Sequence, residues 1–267
     1  MAQPVSTAEL PRGAAPDGMQ PGTRPVPITQ AGTRNALLRS LSPADFALLQ
    51  PHLERVPLVV NATLAQVGQP IETVCFLEGA IAGFLDVLDD GRQLAVGLVG
   101  REGFVGWPLL MGGDRWQHEV TVRAENSTAI RIGAEPMLRA VADSATLRGL
   151  MLRFAGNFML QMSRTIVSNL IHPVERRTAR WLLLYHDRIA GDEIVLTHEE
   201  LSIMLGVRRA SVTDALHMLE GDHAIRGLRG RVVIADRARL EAMAGETYGY
   251  AEAEYRRLVA PMDRAER

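Results

Sequence analysis

The chain has 267 residues, 47% of them hydrophobic and 22% charged, enough apolar material for one large or two modest cores. No apolar run approaches the roughly 18–20 residues that cross a bilayer, and a single cysteine, Cys75, excludes an internal disulfide framework or a Cys-rich metal site. The net charge of −2 excludes a chain that is basic throughout; all 29 cationic residues are arginines, a bias read as GC-rich coding, so any DNA-binding surface must be local.

Residues 1–33 are rich in Pro, Gly, Ala, Thr and Gln, lack apolar periodicity and read as a disordered arm. They also lack the basic-then-apolar order of a signal peptide, so the expected location is cytoplasmic. Ser42-Pro43 supplies an N-cap and first turn for a helix over 44–53. From 56 to 132 the pattern becomes short β-type runs punctuated by glycine: 56–60, 74–77, Ile81–Val87, 94–99, 120–124 and 128–132. Asp89-Asp90-Gly91 lies between two of them and suits the positive φ of a hairpin turn. Strands at this spacing predict an antiparallel sandwich or small barrel, within a domain over 34–145.

The period then lengthens. Leu150, Phe154, Phe158, Met162, Ile166 and Leu170 recur every four residues, an apolar ridge that winds slowly around a helix. From 147 to 172 that helix would be ~39 Å long at 1.5 Å per residue, and Pro173 breaks it. One flank can lie on the β domain while another meets a partner. We read 146–172 as a dimerisation helix with Leu150, Phe154, Phe158, Met162 and Ile166 at the seam; an ordinary buried helix is the alternative. A second amphipathic helix over 174–189 carries Arg176, Arg177 and Arg180, Gly191 closes it, and 193–196 suits a short strand.

Residues 196–236 are the most informative. Thr197 and Glu200 have the spacing of a capping box, so a helix should start at His198 with Leu201, Met204 and Leu205 inward. Gly206 sits where the chain must turn between two helices. The next helix, 209–220, buries Val212, Leu216 and Leu219 and presents Arg209, Ala210, Ser211, Thr213, Asp214 and His217. Small and polar side chains on one face let a helix enter the major groove and reach base edges. Arg208 and Arg209 lie near its N-terminus, where phosphate is favoured. Two short strands around Arg226, Gly227, Leu228, Arg229 and Gly230 make a wing, whose Arg226, Arg229 and Arg231 read as a phosphate clamp. Residues 173–237 balance ten Arg against ten Asp plus Glu, so a protein-contacting winged helix on a ligand-binding or scaffold protein is the competing reading.

On Leu205-Gly206-Val207, Arg209, Val212, Thr213, Leu216 and Asp236, the chain resembles the Crp/Fnr family over about residues 34–243. The resemblance implies an α+β fold: an N-terminal antiparallel β-roll of the cyclic-nucleotide-binding type (34–145), a long dimerisation helix (146–172) and a C-terminal winged helix-turn-helix (173–243). A C-terminal extension, 244–267, lies beyond it; Tyr248, Tyr250, Tyr255, Arg256 and Arg257 suggest a partly helical segment. It implies a homodimeric transcription regulator that binds double-stranded DNA and works with RNA polymerase. Arg209 would keep the family role of meeting a guanine edge. The family's serine before it is Arg208 here, its glutamate after it Ala210, and its second reading arginine Asp214, so the preferred operator should differ.

In nucleotide-binding members of the family a glutamate holds the ribose and an arginine the cyclic phosphate. The matching stretch here runs Arg101-Glu102-Gly103-Phe104-Val105-Gly106-Trp107, then His118-Glu119-Val120-Thr121-Val122-Arg123. Trp107 and His118 stand at the two ligand-holding positions, so Gly106, Trp107 and His118 mark a degenerate effector pocket and no response to cyclic AMP is expected. Trp107 and His118 either line what remains of the pocket or close it. Arg115 and Arg123 are near in sequence, but strand alternation points Arg123 away from Val122. One cysteine excludes an iron–sulfur cluster within the chain. Haem stays formally open, although Cys75 reads as a core residue. No cofactor, metal or membrane is expected, and the effector is unidentified. A Gly-rich phosphate loop, a nucleophile elbow and His-Glu-x-x-His spacing are all missing, so no enzyme is expected.

Overall fold

The computed structural model describes residues 27–124 and 127–259. The expected arm falls mostly outside the described residues, as does the end of the extension. Residues 27–33, assigned to the arm from composition, instead pack on the β domain. Gln30 Nε2 donates to the carbonyl of Leu41 at 2.7 Å, and Gln50 Nε2 to that of Ile28 at 2.9 Å. Side-chain amides satisfying loop carbonyls leave no periodic signal. Helix α1 (Ala36–Arg39) follows, then α2 (Pro43–Leu49), whose cap Ser42 accepts from the amide of Asp45.

Eight strands make the β-roll: β1 (Glu54–Leu58), β2 (Thr63–Ala65), β3 (Thr73–Leu77), β4 (Ile81–Val87), β5 (Gln93–Val99), β6 (Phe104–Val105), β7 (Glu119–Arg123) and β8 (Ser127–Gly133). They pair antiparallel in two four-stranded sheets, ordered β1-β8-β3-β6 and β2-β7-β4-β5. Phe76, Phe84, Phe104, Val120, Val122 and Ile130 fill the space between them. Cys75 is partly buried against this core, and burial pushes its thiol up to about 11. The β-type runs anticipated six of the strands, Ile81–Val87 to the residue and the others with ends displaced by at most two. It missed β2, β6 and α3 (Ala134–Asp143), although Met137, Ala140 and Val141 are buried at helical spacing.

The long helix α4 (Ala145–Ile171, 27 residues) presents three flanks. Leu147, Met151, Phe154 and Phe158 pack into the roll. Two glycines open slots for the rings: a Cβ on Gly103 would lie 2.0 Å from the Phe154 ring, and one on Gly97 2.7 Å from Phe158. The second flank carries the C-terminal segment, with Asn157 Nδ2 donating to the carbonyl of Ala251 at 2.7 Å. The third is open, with Leu152 36%, Met159 38%, Ile166 61% and Leu170 79% exposed. This corrects the seam assignment. Leu150, Phe154 and Phe158 are buried within their own chain and Met162 is half-buried, leaving only Ile166 of that set on the open flank. Each four-residue step turns the ridge by about 40°, so a line that starts on the roll ends in solvent.

After His172-Pro173 come α5 (Val174–His186), β9 (Glu193–Val195), α6 (His198–Leu205), α7 (Arg209–Gly221), β10 (Ile225–Leu228), β11 (Arg231–Ile234), α8 (Arg237–Ala244) and α9 (Tyr250–Leu258). The strands form one antiparallel sheet, β10-β11-β9. This C-terminal head docks on the outer face of the second roll sheet: Ile81, Leu85, Ala95 and Leu98 share a buried cluster with Trp181, Leu182, Leu201 and Leu205.

Candidate nucleic-acid interface

The helix-turn-helix forms for local reasons. Thr197 accepts from the amide of Glu200, and the Glu200 carboxylate accepts in return from the Thr197 amide at 2.8 Å, so both first-turn donors are met. Gly206 then takes φ 63, a left-handed turn that ends α6. A Cβ there would lie 2.4 Å from the tip of the Leu94 side chain of β5, which would have to turn aside. Val212, Ala215, Leu216 and Leu219 seat α7 in the head.

The opposite side of α7 faces solvent. Arg208, Arg209, Ala210, Asp214 and His217 are exposed, and Ser211 and Thr213 are half-buried. The Thr213 hydroxyl is already engaged: it donates to the carbonyl of Arg209 and lies 3.1 Å from His198 Nδ1, tying α7 to α6. Among the described residues Arg208, Arg209 and Asp214 form no ion pair, so Asp214 does not hold Arg209 in place.

In the wing, β10 and β11 pair from Ile225↔Ile234 to Leu228↔Arg231. Arg226, expected in the turn, therefore lies within a strand, and the turn is Arg229-Gly230 with Gly230 at φ 73. Arg226 and Arg229 are exposed and unpaired among the described residues. Arg231 is not: its guanidinium meets Glu193 of β9 at 2.7 Å, a carboxylate distant in sequence. Both partners are about half exposed, so this bond is worth at most about 1 kcal/mol and yields readily to a phosphate. Glu220, which sequence reasoning passed over, accepts from the amide of Gly227 at 2.9 Å and braces wing against recognition helix. Between them opens a cleft of about 580 Å³ lined by His198, Arg209, His217, Glu220, Arg229 and Arg231.

The effector-pocket residues fall in the roll interior. Gly106 turns the chain at φ 115 into a 3-10 turn, Trp107–Met111. The Trp107 ring is buried 6.0 Å from that of Phe158; Phe158 lies 4.7 Å from Phe84, and Phe84 6.4 Å from His118. Trp107 and His118 thus belong to one aromatic cluster built around a phenyl ring from α4. Trp107 Nε1 and His118 Nδ1 have no hydrogen-bond partner among the described residues. Burial lowers the His118 pKa, with Asp86 opposing, which favours the neutral imidazole. Arg123 leaves this interior altogether and reaches Glu200 of α6 at 3.7 Å.

The described residues hold no cluster of three His, Cys, Asp or Glu side chains that could bind a metal, and no helix long and apolar enough to cross a membrane. Residues 176–243 match the family model of the Crp-like helix-turn-helix domain. Among solved structures the chain is similar to a CRP-family transcriptional regulator of Thermus thermophilus, at 24% identity and TM-score 0.60 over 72% of this chain and 97% of that one. A crp/fnr-family protein of Eubacterium rectale aligns at 17% identity and TM-score 0.63, over 78% and 97% of the two chains. FixK2 from Bradyrhizobium japonicum aligns at 14% and 0.62, over 72% and 96%. No curated protein matches the sequence. The chain carries a Crp-like helix-turn-helix domain on the fold of Crp/Fnr regulators.

Proposed function

We propose that this chain is a homodimeric, sequence-specific DNA-binding transcription regulator that does not respond to cyclic AMP. The observation that carries the reading is the shared cleft, where the polar face of α7 with Arg209 and His217 stands opposite wing residues Arg229 and Arg231. A helix with small and polar outward side chains, flanked by exposed arginines, supplies both base-edge donors and phosphate contacts. In this reading Arg209 meets a guanine edge. Arg208, Arg226 and Arg229 hold phosphates, joined by Arg231 once it leaves Glu193. Ala210, Ser211, Asp214 and His217 line the groove, and Thr213 holds the helix at its angle.

Dimerisation is assigned to the open flank of α4. Leu152, Met159 and Ile166 recur every seven residues, interleaved with Gly149, Gly156, Ser163 and Leu170. Space around Gly156 is open, so two such helices can approach closely. Two heads would then enter successive major grooves about 34 Å apart on a pseudo-palindrome, as helix-turn-helix dimers do. At a promoter the partner would be RNA polymerase. Insensitivity to cyclic AMP is supported by Trp107 and His118 at the two ligand-holding positions and by the ring cluster around Phe158. Saturable heat on titration with cyclic AMP would overturn that part.

The test is selection of bound fragments from genomic DNA, followed by gel shifts with Arg209→Ala. The expected result is an enriched palindrome whose discrimination at one base pair per half-site falls by about 1–3 kcal/mol in the variant. Recovery of no enriched sequence would favour the protein-contacting alternative.

A further inference from the structure

We propose that the C-terminal helix α9 is an intramolecular latch that holds the DNA-binding head in one orientation on the roll, by seating Tyr255 over a buried Glu102–Arg188 pair. Glu102 belongs to the roll, on the turn leading into β6; Arg188 belongs to the head, just past the end of α5. Their side chains meet at 2.7 Å and are only 6% and 4% exposed. The Glu102 carboxylate also accepts from the amide of Gly100 at 3.0 Å, and Arg188 donates to the carbonyl of Leu184 at 2.6 Å. A buried pair of this kind holds only while its remaining donors and acceptors are met and water stays out.

Helix α9 closes that site. Its Tyr255 is 2% exposed, packs with the roll core and donates its hydroxyl proton to the carbonyl of Glu102 at 2.6 Å. The same helix is fixed along α4 by the Asn157–Ala251 hydrogen bond and by Arg164, whose guanidinium lies 4.6 Å from the centre of the Tyr250 ring. One short helix therefore touches the roll, the long helix and the head's ion pair together. The covalent link between roll and head is His172-Pro173, which fixes no orientation by itself. The extension, outside the residues matching the helix-turn-helix model, thereby ties the turn at residues 100–103 to the head. Any consequence for DNA rests on the regulator reading above; the latch itself does not.

The test uses full-length protein, Tyr255→Phe, and a chain stopped after Gly249. The last keeps Ala244, Thr247 and Tyr248 in the head and removes α9 together with the residues that follow it. Hydrogen–deuterium exchange should quicken in peptides over 98–104 and 169–176, by about fivefold for loss of the hydroxyl and more for the truncation. Peptides over 225–234, in the wing and away from the roll, should be unchanged. Affinity for the palindrome selected by the wild-type protein should fall relative to a single half-site, because unlatched heads are no longer preset. Unchanged exchange at 98–104 and 169–176 in both variants overturns the latch. Uniformly faster exchange does so too, since α9 would then be a general stabiliser. A wild-type protein without DNA affinity refutes the regulator reading instead, and the exchange data still decide the latch.

Discussion

The salt dependence of DNA binding follows from which arginines the structure leaves unpaired. Arg208, Arg226 and Arg229 are exposed and have no carboxylate partner among the described residues, whereas Arg231 is engaged by Glu193. Counting only the arginines already unpaired, three phosphate contacts on each of two heads displace six counterions, so log K should fall with log salt at a slope of about −5 before Arg231 adds to it. Between 50 and 200 mM salt that is a loss of about three orders of magnitude in affinity. Arg229→Ala removes two contacts per dimer and should bring the slope to about −3.6 while weakening all sequences alike. Glu193→Gln frees Arg231 and should tighten binding by no more than about fivefold, the worth of an exposed pair. Fluorescence anisotropy on a labelled duplex, titrated across that salt range, reads all three. A wild-type slope shallower than about −2, or one that Arg229→Ala leaves unchanged, would refute the assignment of these arginines to phosphate.

Ile166→Asp puts a charge on a side chain 61% exposed in the single chain, so it should leave the monomer's fold intact and dissociate the dimer. Sedimentation velocity checks this, and a variant that stays dimeric would place the seam elsewhere. Stability should also fall with acid in a defined window. His118, His172 and His186 all have pKa values lowered from 6.5, in each case chiefly by burial. Above that value both folded and unfolded imidazoles are neutral. As pH drops below about 6.5 the unfolded chain takes up protons that the folded chain refuses, so stability declines until the lowered folded-state pKa values are reached. Thermal unfolding from pH 7.5 to 5.5 should show Tm falling with acid; a flat or rising Tm would contradict the burial argument.

Features with a local cause were legible in the sequence. Short β-type runs punctuated by glycine marked six of the strands, Asp89-Asp90-Gly91 the β4–β5 hairpin, and Thr197 with Glu200 the start of α6 at His198. The outward side of α7 was equally readable, because its buried positions are spaced as a helix requires. What escaped was whatever depends on elements meeting across the chain. The four-residue ridge of α4 announced a long apolar helix without saying which part of it the roll covers. Arg231 looked free until β9 brought Glu193 beside it, and Arg123 had no visible purpose until the head docked. Glu102 and Arg188 stand 86 residues apart with no motif linking them. Helix α3 is a different case: its spacing of Met137, Ala140 and Val141 was readable and was passed over beside Pro136.

The two phenyl rings set into Gly97 and Gly103 act like pawls in a ratchet. Sliding α4 by one helical turn, about 5.4 Å, would pull each ring out of the space its glycine leaves. Axial translation of this rod therefore costs the seating of both rings. A head that swings about His172-Pro173 would instead have to part Ile81 and Leu85 from Trp181 and Leu182 and break the Glu102–Arg188 pair.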